Sequence, residues 1–450
     1  EIFMKKYYVF IFIFVFVLIG CFPRSEMTKD LGDLPQKHAP RHKKPEQVEN
    51  FLTRQMQRQM DEDYNIIHFS LWHQKQPFHA LPERVFADFK RFSKNLGYGE
   101  NKIKHTSAWL NNLRQNASLD NYPNALYPAI TTRNTNLRAL PTQGVHFNSP
   151  DGDSSGWPFD NLQRSSVAAN TPIFVCHISA DKSWALVETS FAFGWMPVED
   201  SARVDDAFIK RWESSRYVAI TVNRTSILDT KGNFILKASL GHIFPLLRET
   251  PEGMEILVAV ADEEGNAVIK RSFVSYQHSA VKPISFNYDN AAKIVSELRG
   301  ETYGWGGLYG NRDCSAMTRD FFAPFGIWLP RHSADQVKEV GDYIELDGLT
   351  PEEKEKIILE NGIPFLSLLW FRGHVMLYIG EQNGRALIFH NIWGLRIKDE
   401  GGVESKKIIG QAVITTLHPR CESDNIDQQQ GCLLDRISAM NVLLPSMKSP

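Results

Sequence analysis

The stretch Tyr303-Gly304-Trp305-Gly306-Gly307-Leu308-Tyr309-Gly310-Asn311-Arg312-Asp313-Cys314-Ser315 decides how this chain is read. A glycine-rich aromatic turn ends on a cysteine. Met317 and Phe321 then repeat at helical spacing through Ser315 to Phe325, and Pro324 closes the run. That places Cys314 in the first turn of a helix, where the positive end of the helix dipole is expected to lower the thiol pKa and favour the nucleophilic anion. Further along, His374 stands just ahead of Val375 to Ile379, a short apolar run with β-branched residues that reads as a buried strand. The turn Glu381-Gln382-Asn383-Gly384 leads into a second such run, Ala386 to Phe389, which ends at His390. Two strands of one hairpin bring the imidazoles near each other. The pattern predicts a cysteine nucleophile, a histidine base and a second histidine that fixes the tautomer of the first.

Two plainer readings compete. A buried thiol is usually inert and a strand histidine usually structural, but three such residues at element ends, with glycines beside the first, favour chemistry. Zinc could take one cysteine and two histidines, yet no close-spaced CxxC or HxxxH pair accompanies them, so neither a metal nor another cofactor is expected.

Several separate segments in order, Tyr303 to Gly307, Asp313-Cys314-Ser315, Leu329-Pro330-Arg331 with Ser333 and Gln336, Gly373-His374-Val375 to Tyr378-Ile379-Gly380, and His390-Asn391-Ile392-Trp393-Gly394, resemble the NlpC/P60 family of papain-like cysteine peptidases. The resemblance implies Cys314 as nucleophile, His374 as general base and His390 as the orienting residue. It also implies a substrate: members of this kind cut peptidoglycan stems between D-glutamate and the diamino acid, and residues flanking the cysteine bind the free amine of L-alanine. Asp313 and Ser315 match those positions, and Asp313 can equally cap the catalytic helix. Tyr303 is a candidate oxyanion donor, with simple packing as its other reading.

The start of the chain carries a second signal. Lys5 and Lys6, with Met4 ahead of them as the expected start, precede an unbroken apolar run from Tyr7 to Ile19, too short for a comfortable membrane span and suited to a signal peptide. Leu18-Ile19-Gly20-Cys21 resembles the lipobox of bacterial lipoproteins, which implies lipidation of Cys21. No aspartate follows Cys21, so the expected place is the cell envelope, on the periplasmic face of the outer membrane if the host has two membranes. A net charge of −2 gives no general pull toward nucleic acid. The five cysteines are too few and too scattered for a disulfide scaffold, although Cys421 and Cys432 could form one local bridge.

With 450 residues, the chain exceeds one ordinary core. The expected order is a signal peptide at 1–20, a polar, proline-punctuated tether at 21–45, a helical segment at 46–126, small β modules at 127–203 and 204–282, a catalytic domain at 283–420 and a tail at 421–450. The fold class is therefore multidomain: an α+β papain-like domain, two small all-β barrels that resemble bacterial SH3 domains, and an N-terminal helical segment. Trp72, Phe86, Phe89, Phe92 and Trp109 are expected in the helical core. In the first module, Thr135 to Thr142, Pro172 to Ser179, Trp184 to Thr189 and Gly194-Trp195 read as strands. The Ser149 to Asp160 loop carries Trp157 and Phe159 and either reaches the cleft or folds back on its barrel. Within the catalytic domain, Asp289 to Arg299 reads as a helix, Thr350-Pro351-Glu352-Glu353 as a capping box, and Ile363 to Leu369 as a buried strand.

The function expected is a cysteine endopeptidase acting on the γ-D-glutamyl to diamino acid bond of stems with a free L-alanine. Alternatives are a non-catalytic wall-binding scaffold, or the same enzyme acting on a sugar-linked amide or a crosslink. The partners implied are peptidoglycan stems or muropeptides and, through Cys21, a membrane.

Overall fold

The computed structural model describes residues 52–151, 155–213, 216–398, 404–418 and 433–444. The expected signal peptide and tether, Cys21, and Cys421 with Cys432 lie outside them.

The helical segment has three helices, α1 (Arg54–Phe69), α2 (Pro82–Lys94) and α3 (Ser107–Ala117). Thr53 and Thr106 cap α1 and α3 through their side-chain oxygens, as their position before each helix favours. Val85, Phe89 and Phe92 of α2 are buried, whereas Phe86 is 45% exposed and does not join the core expected of it. One helical face cannot hold both Phe86 and the Val85, Phe89 and Phe92 stripe. Helix α1 acts as a brace to the rest of the chain. Its buried Gln57 donates to the Ile284 and Phe325 carbonyls and accepts from Phe286 N–H, while Asp61 pairs with Lys282 at 2.5 Å.

The first β module is a seven-stranded antiparallel sheet of β1 (Tyr127–Thr131), β2 (Thr135–Arg138), β3 (Gln163–Val167), β4 (Pro172–Ile178), β5 (Trp184–Glu188), β6 (Phe193–Pro197) and β7 (Ser201–Arg203), in the order β3-β2-β6-β5-β4-β1-β7. Its buried Glu188 ties it to the helical segment by accepting from the N–H groups of Phe78, His79 and Ala80 and from Gln74. Helix α4 (Asp206–Glu213) leads to the second module, with β8 (Tyr217–Ile220), β9 (Thr225–Leu228), β10 (Phe234–Ala238), β11 (Ile243–Thr250), β12 (Gly253–Ala261), β13 (Ala267–Ser275) and β14 (Ser279–Lys282). Strands β9 and β10 pair alone, and the others order as β13-β12-β11-β8-β14.

The C-terminal domain contains α5 (Tyr288–Leu298), α6 (Cys314–Phe322), α7 (Ser333–Lys338), β15 (Asp342–Glu345), α8 (Pro351–Asn361), β16 (Ser367–Phe371), β17 (His374–Gln382), β18 (Arg385–Lys398), β19 (Glu404–Thr416), α9 (Leu433–Arg436) and β20 (Ala439–Val442). Its antiparallel sheet runs β15-β20-β16-β17-β18-β19. Met317 and Phe321 of α6 pack with Val375, Leu377, Leu387 and Phe389 in one core. Ile358, Leu433 and Leu434 pack with Met376, Tyr378 and Ile388 in another. The Thr350 to Glu353 capping box opens α8, and Asn383 and Gly384, with φ of 54° and 78°, make the β17–β18 turn. Two expectations change. Strand β16 begins at Ser367, four residues late, because Pro364 breaks the ladder and Phe365 takes a positive φ of 63°. Residues 433–444 are not a tail: β20 sits inside the sheet between β15 and β16, with buried Leu433, Leu434, Ile437 and Met440 supplying the reason.

Candidate active site

Asp313 caps α6 by accepting from Ala316 N–H at 2.9 Å, so Cys314 is the first residue of that helix and its backbone N–H lies among those the helix cannot satisfy internally. The thiol is buried, 7% exposed, and takes hydrogen bonds from the backbone of Val375 and Ser315. Val375 follows His374, which opens β17, so the helix start and the strand start meet at the sulfur. His374 Nε2 lies 2.9 Å from His390 Nδ1, and Thr415 Oγ1 lies 3.2 Å from His390 Nε2. With Nε2 so engaged, Nδ1 is the nitrogen of His374 left for chemistry. His374, His390 and Thr415 thus form a line of side chains across β17, β18 and β19, and Cys314 at the start of α6 meets the backbone at the start of β17.

Electrostatics differ from the simple helix-dipole expectation. Burial, reinforced by the Asp313 carboxylate, pushes the Cys314 thiol up to about 12 despite its place at a helix start. Burial, with the Arg436 cation adding to it, holds His374 down to about 3. Burial and the neighbouring His374 hold His390 well below its ordinary value. At neutral pH the resting pair is therefore thiol and neutral imidazole.

Asp313 is heavily engaged. Arg331 grips it bidentately, Nη1 to Oδ1 at 3.0 Å and Nη2 to Oδ2 at 2.6 Å, while Gly306 N–H donates to Oδ2 at 3.0 Å and Ser315 Oγ to Oδ1 at 3.2 Å. Burial works against its charge, but the Arg331 guanidinium and these donors hold the carboxyl below its ordinary range. Ser315 also accepts from Arg331 Nη1 at 2.6 Å. Tyr303 is held near the site by its contact with Trp393, ring centroids 5.9 Å apart. Burial, with the Cys314 and Asp313 charges adding to it, raises its phenol well above the usual value.

The loop that carries the cysteine is fastened to both β modules. Toward the first, Arg331 Nε donates to Ser165 Oγ at 2.9 Å, Gln163 Nε2 to Gly306 O at 2.9 Å, and Trp305 Nε1 to Asp160 O at 3.0 Å. Gly306 and Gly307 have positive φ, and a Cβ on Gly306 would stand 2.6 Å from Gln163 Cγ, so strand β3 can lie against this turn only because both residues are glycine. Toward the second, Arg312 donates to Leu240 O and Asn223 Oδ1 and pairs with Glu301 and Asp320. Trp157 and Phe159 reach the site from the first module: Trp157, 56% exposed, stands edge-on to Trp393 at 5.5 Å, and Phe159 edge-on to Trp305 at 5.1 Å.

Sequence reading gave no role to Ser165, Gln163, Arg312, Thr415 or Arg436, and quoted Arg331 only as part of a motif. A buried arginine next to Leu329-Pro330 was the one signal in reach; the partners come from distant segments. A groove of about 1250 Å³ between Ile66, Phe69, Phe78 and Trp328 contains none of the cysteine or histidine side chains above, and its size does not make it the site. Among the described residues, no three or more His, Cys, Asp or Glu side chains converge as a metal site requires.

Comparison with known proteins gives the following. Residues 10–122 match the N-terminal stabilising domain of NlpC/P60 proteins, 146–197 an SH3 domain of the SH3b1 type, 205–251 an SH3 domain of the SH3b2 type, and 300–398 the NlpC/P60 family. No curated protein matches the chain. Among solved structures, an NlpC/P60 endopeptidase from Photobacterium damselae subsp. piscicida is 26% identical with a TM-score of 0.80, over 90% of this chain and 96% of that one. An NlpC/P60 family protein from Bacillus cereus is 16% identical with a TM-score of 0.47, over 71% of this chain and 100% of its own.

Proposed function

The chain is a member of the NlpC/P60 family with two SH3b domains, and on that premise we propose that it is a cysteine endopeptidase cutting the γ-D-glutamyl to diamino acid bond of peptidoglycan stems. The observation that carries this reading is the helix-start thiol of Cys314 beside the start of β17, where His374 is held through Nε2 by His390 at 2.9 Å. A thiol, a base and an orienter are the parts acyl transfer needs. Because the resting pair is neutral, the proton moves as the sulfur attacks and not before it. Sγ bonds to the γ-carbonyl carbon while His374 Nδ1 takes the thiol proton. The helix-start N–H of Cys314, with Tyr303 as a second donor, faces the developing oxyanion. His374 then protonates the leaving amine as the C–N bond breaks, leaving a thioester. Water attacks that thioester, gives its proton to His374, and the freed thiol takes the proton back.

Free-amine recognition by Asp313 and Ser315 is part of the proposal, with one structural condition. Asp313 already accepts from Arg331, Gly306, Ala316 and Ser315, so an ammonium must exchange for one of these donors. Export and lipidation at Cys21 belong to the same proposal: a lipid-anchored enzyme in the cell envelope lies beside its substrate. The test compares defined stem peptides whose L-alanine amine is free or acetylated. Selective cleavage of the free form supports the amine site, and equal cleavage removes Asp313 and Ser315 from that role.

A further inference from the structure

His390 has both ring nitrogens engaged: Nδ1 lies 2.9 Å from His374 Nε2, and Nε2 lies 3.2 Å from Thr415 Oγ1. All three side chains are buried. The contact to Thr415 follows from the strand register. Thr415 of β19 stands across from Ile388 of β18, two residues before His390, so the two side chains are diagonal neighbours on one face of the sheet. Burial holds both imidazoles well below their ordinary values, so at neutral pH each has one N–H and one bare nitrogen. A neutral His390 that uses both nitrogens must donate at one end and accept at the other. Two arrangements satisfy this chain. In one, Thr415 donates its hydroxyl proton to His390 Nε2, His390 Nδ1–H donates to His374 Nε2, and the proton of His374 sits on Nδ1. In the other, Thr415 accepts from His390 Nε2–H, His390 Nδ1 accepts from His374 Nε2–H, and His374 Nδ1 is bare. The heavy atoms occupy the same places in both.

We propose that Thr415 is a positioning residue whose hydroxyl oxygen accepts from His390 Nε2–H, and that this contact, passed through His390, keeps the proton of His374 on Nε2 and leaves Nδ1 bare. The inference rests on the peptidase reading above and adds to it a residue that acts on the base from two side chains away. The requirement comes from the proton count. A neutral His374 that already carries its proton on Nδ1 has no lone pair there for a thiol proton. When Nδ1 does take the Cys314 proton, His374 becomes an imidazolium with N–H at both nitrogens, so His390 Nδ1 has to be bare to accept and the proton of His390 has to stay on Nε2. Thr415 is then the acceptor before, during and after the transfer; no proton passes to it, and His390 remains neutral throughout. Valine has nearly the shape of threonine but no acceptor. In Thr415→Val protein, His390 Nε2–H is a buried donor without its partner, a shift of the proton to Nδ1 relieves that cost, and the shift forces the His374 proton onto Nδ1. Thr415→Ser keeps the oxygen.

The experiment reads tautomer and rate separately, on the whole chain. Long-range proton–nitrogen correlation spectra of protein with isotope-labelled histidines distinguish a protonated ring nitrogen from a bare one, and His374→Gln and His390→Gln proteins assign the signals. The expected spectra show His374 and His390 protonated on Nε2 in the wild type and in Thr415→Ser, and on Nδ1 in Thr415→Val. On a defined stem peptide, kcat of Thr415→Val should fall by about tenfold to a hundredfold, the size of one buried donor left unpaired, with KM within about twofold, and Thr415→Ser should recover most of the loss. A wild type protonated on Nδ1 of either histidine overturns the proposal. Tautomers unmoved by Thr415→Val, an unchanged kcat, or a loss that serine does not restore do the same. If the valine variant does not fold, the wild-type and serine spectra still decide. If the wild type cuts no stem peptide, the peptidase reading fails, and the tautomers decide for or against Thr415 independently of it.

Discussion

Replacing Asp313 with asparagine separates the two jobs of this carboxylate. Asparagine keeps the side-chain oxygen that caps α6 through Ala316 N–H, so the helix start survives. What is lost is the charge facing Arg331, in a pair whose side chains are 10% and 4% exposed. Removing one member of a buried pair leaves the other charge uncompensated, which typically costs about 3–5 kcal/mol; with the cap retained, we expect about 3 kcal/mol. Adding Arg331→Met removes the stranded guanidinium and should return about 2 kcal/mol of that loss. The thiol supplies a second readout. The Asp313 anion, after burial, is the main influence raising Cys314, so Asp313→Asn should bring the thiol down from about 12. Urea unfolding followed by tryptophan fluorescence measures the first effect, and the pH dependence of iodoacetamide alkylation at Cys314 measures the second. A single variant within 1 kcal/mol of the wild type, with an alkylation midpoint unmoved or raised, refutes the electrostatic account of this loop.

Other expectations are simpler to state. His390→Gln should lower kcat by about a hundredfold or more with a much smaller change in KM, since it loosens the tautomer and orientation of His374; a proportional rise in KM alone contradicts an orienting role. Glu188→Gln should cost about 2–4 kcal/mol and expose the 73–80 segment to limited proteolysis, because the buried carboxylate gathers three backbone N–H groups there; an unchanged cleavage pattern argues that the helical segment is held by other means. Burial lowers His68 to about 3, His242 to about 4 and His374 to about 3, so the unfolded chain takes up protons below pH 6.5 while the folded one does not. Their stabilisation is present above about pH 6.5 and is lost as pH falls toward 3–4, by up to about 1.4 kcal/mol per pH unit for each histidine. Thermal unfolding between pH 7.5 and 5 should show this decline, and a flat profile would falsify it.

Local signals carried much of the fold. A threonine before Pro351 with Glu353 three residues on, an Asn-Gly pair between apolar runs, and Met317 with Phe321 at helical spacing each act within one turn or one hairpin, and each stands in the structure as read. Where distant segments decide, local reading gave less. Residues 433–444 lie far along the chain from β15 and β16, yet their apolar residues pair there and complete the sheet. Ile363 to Leu366 is apolar enough for a strand, but Pro364 and the positive φ of Phe365 delay it. Cys314, His374 and His390 were named from glycines, strand ends and family likeness. The groups that hold them, Ser165 with Arg331 and Phe371 with Arg436, are tertiary pairs with no spacing that announces them. The thiol's high pKa is likewise a property of its burial, which overrides the helix dipole that the sequence does display.

Mass spectrometry of the products from one defined stem, L-alanyl-γ-D-glutamyl-diamino acid with a free amine, tests the central claim most directly. The wild type should release L-alanyl-D-glutamate and the free diamino acid, while Cys314→Ala protein should release neither. Cleavage at any other bond, or the same products from Cys314→Ala, contradicts the account.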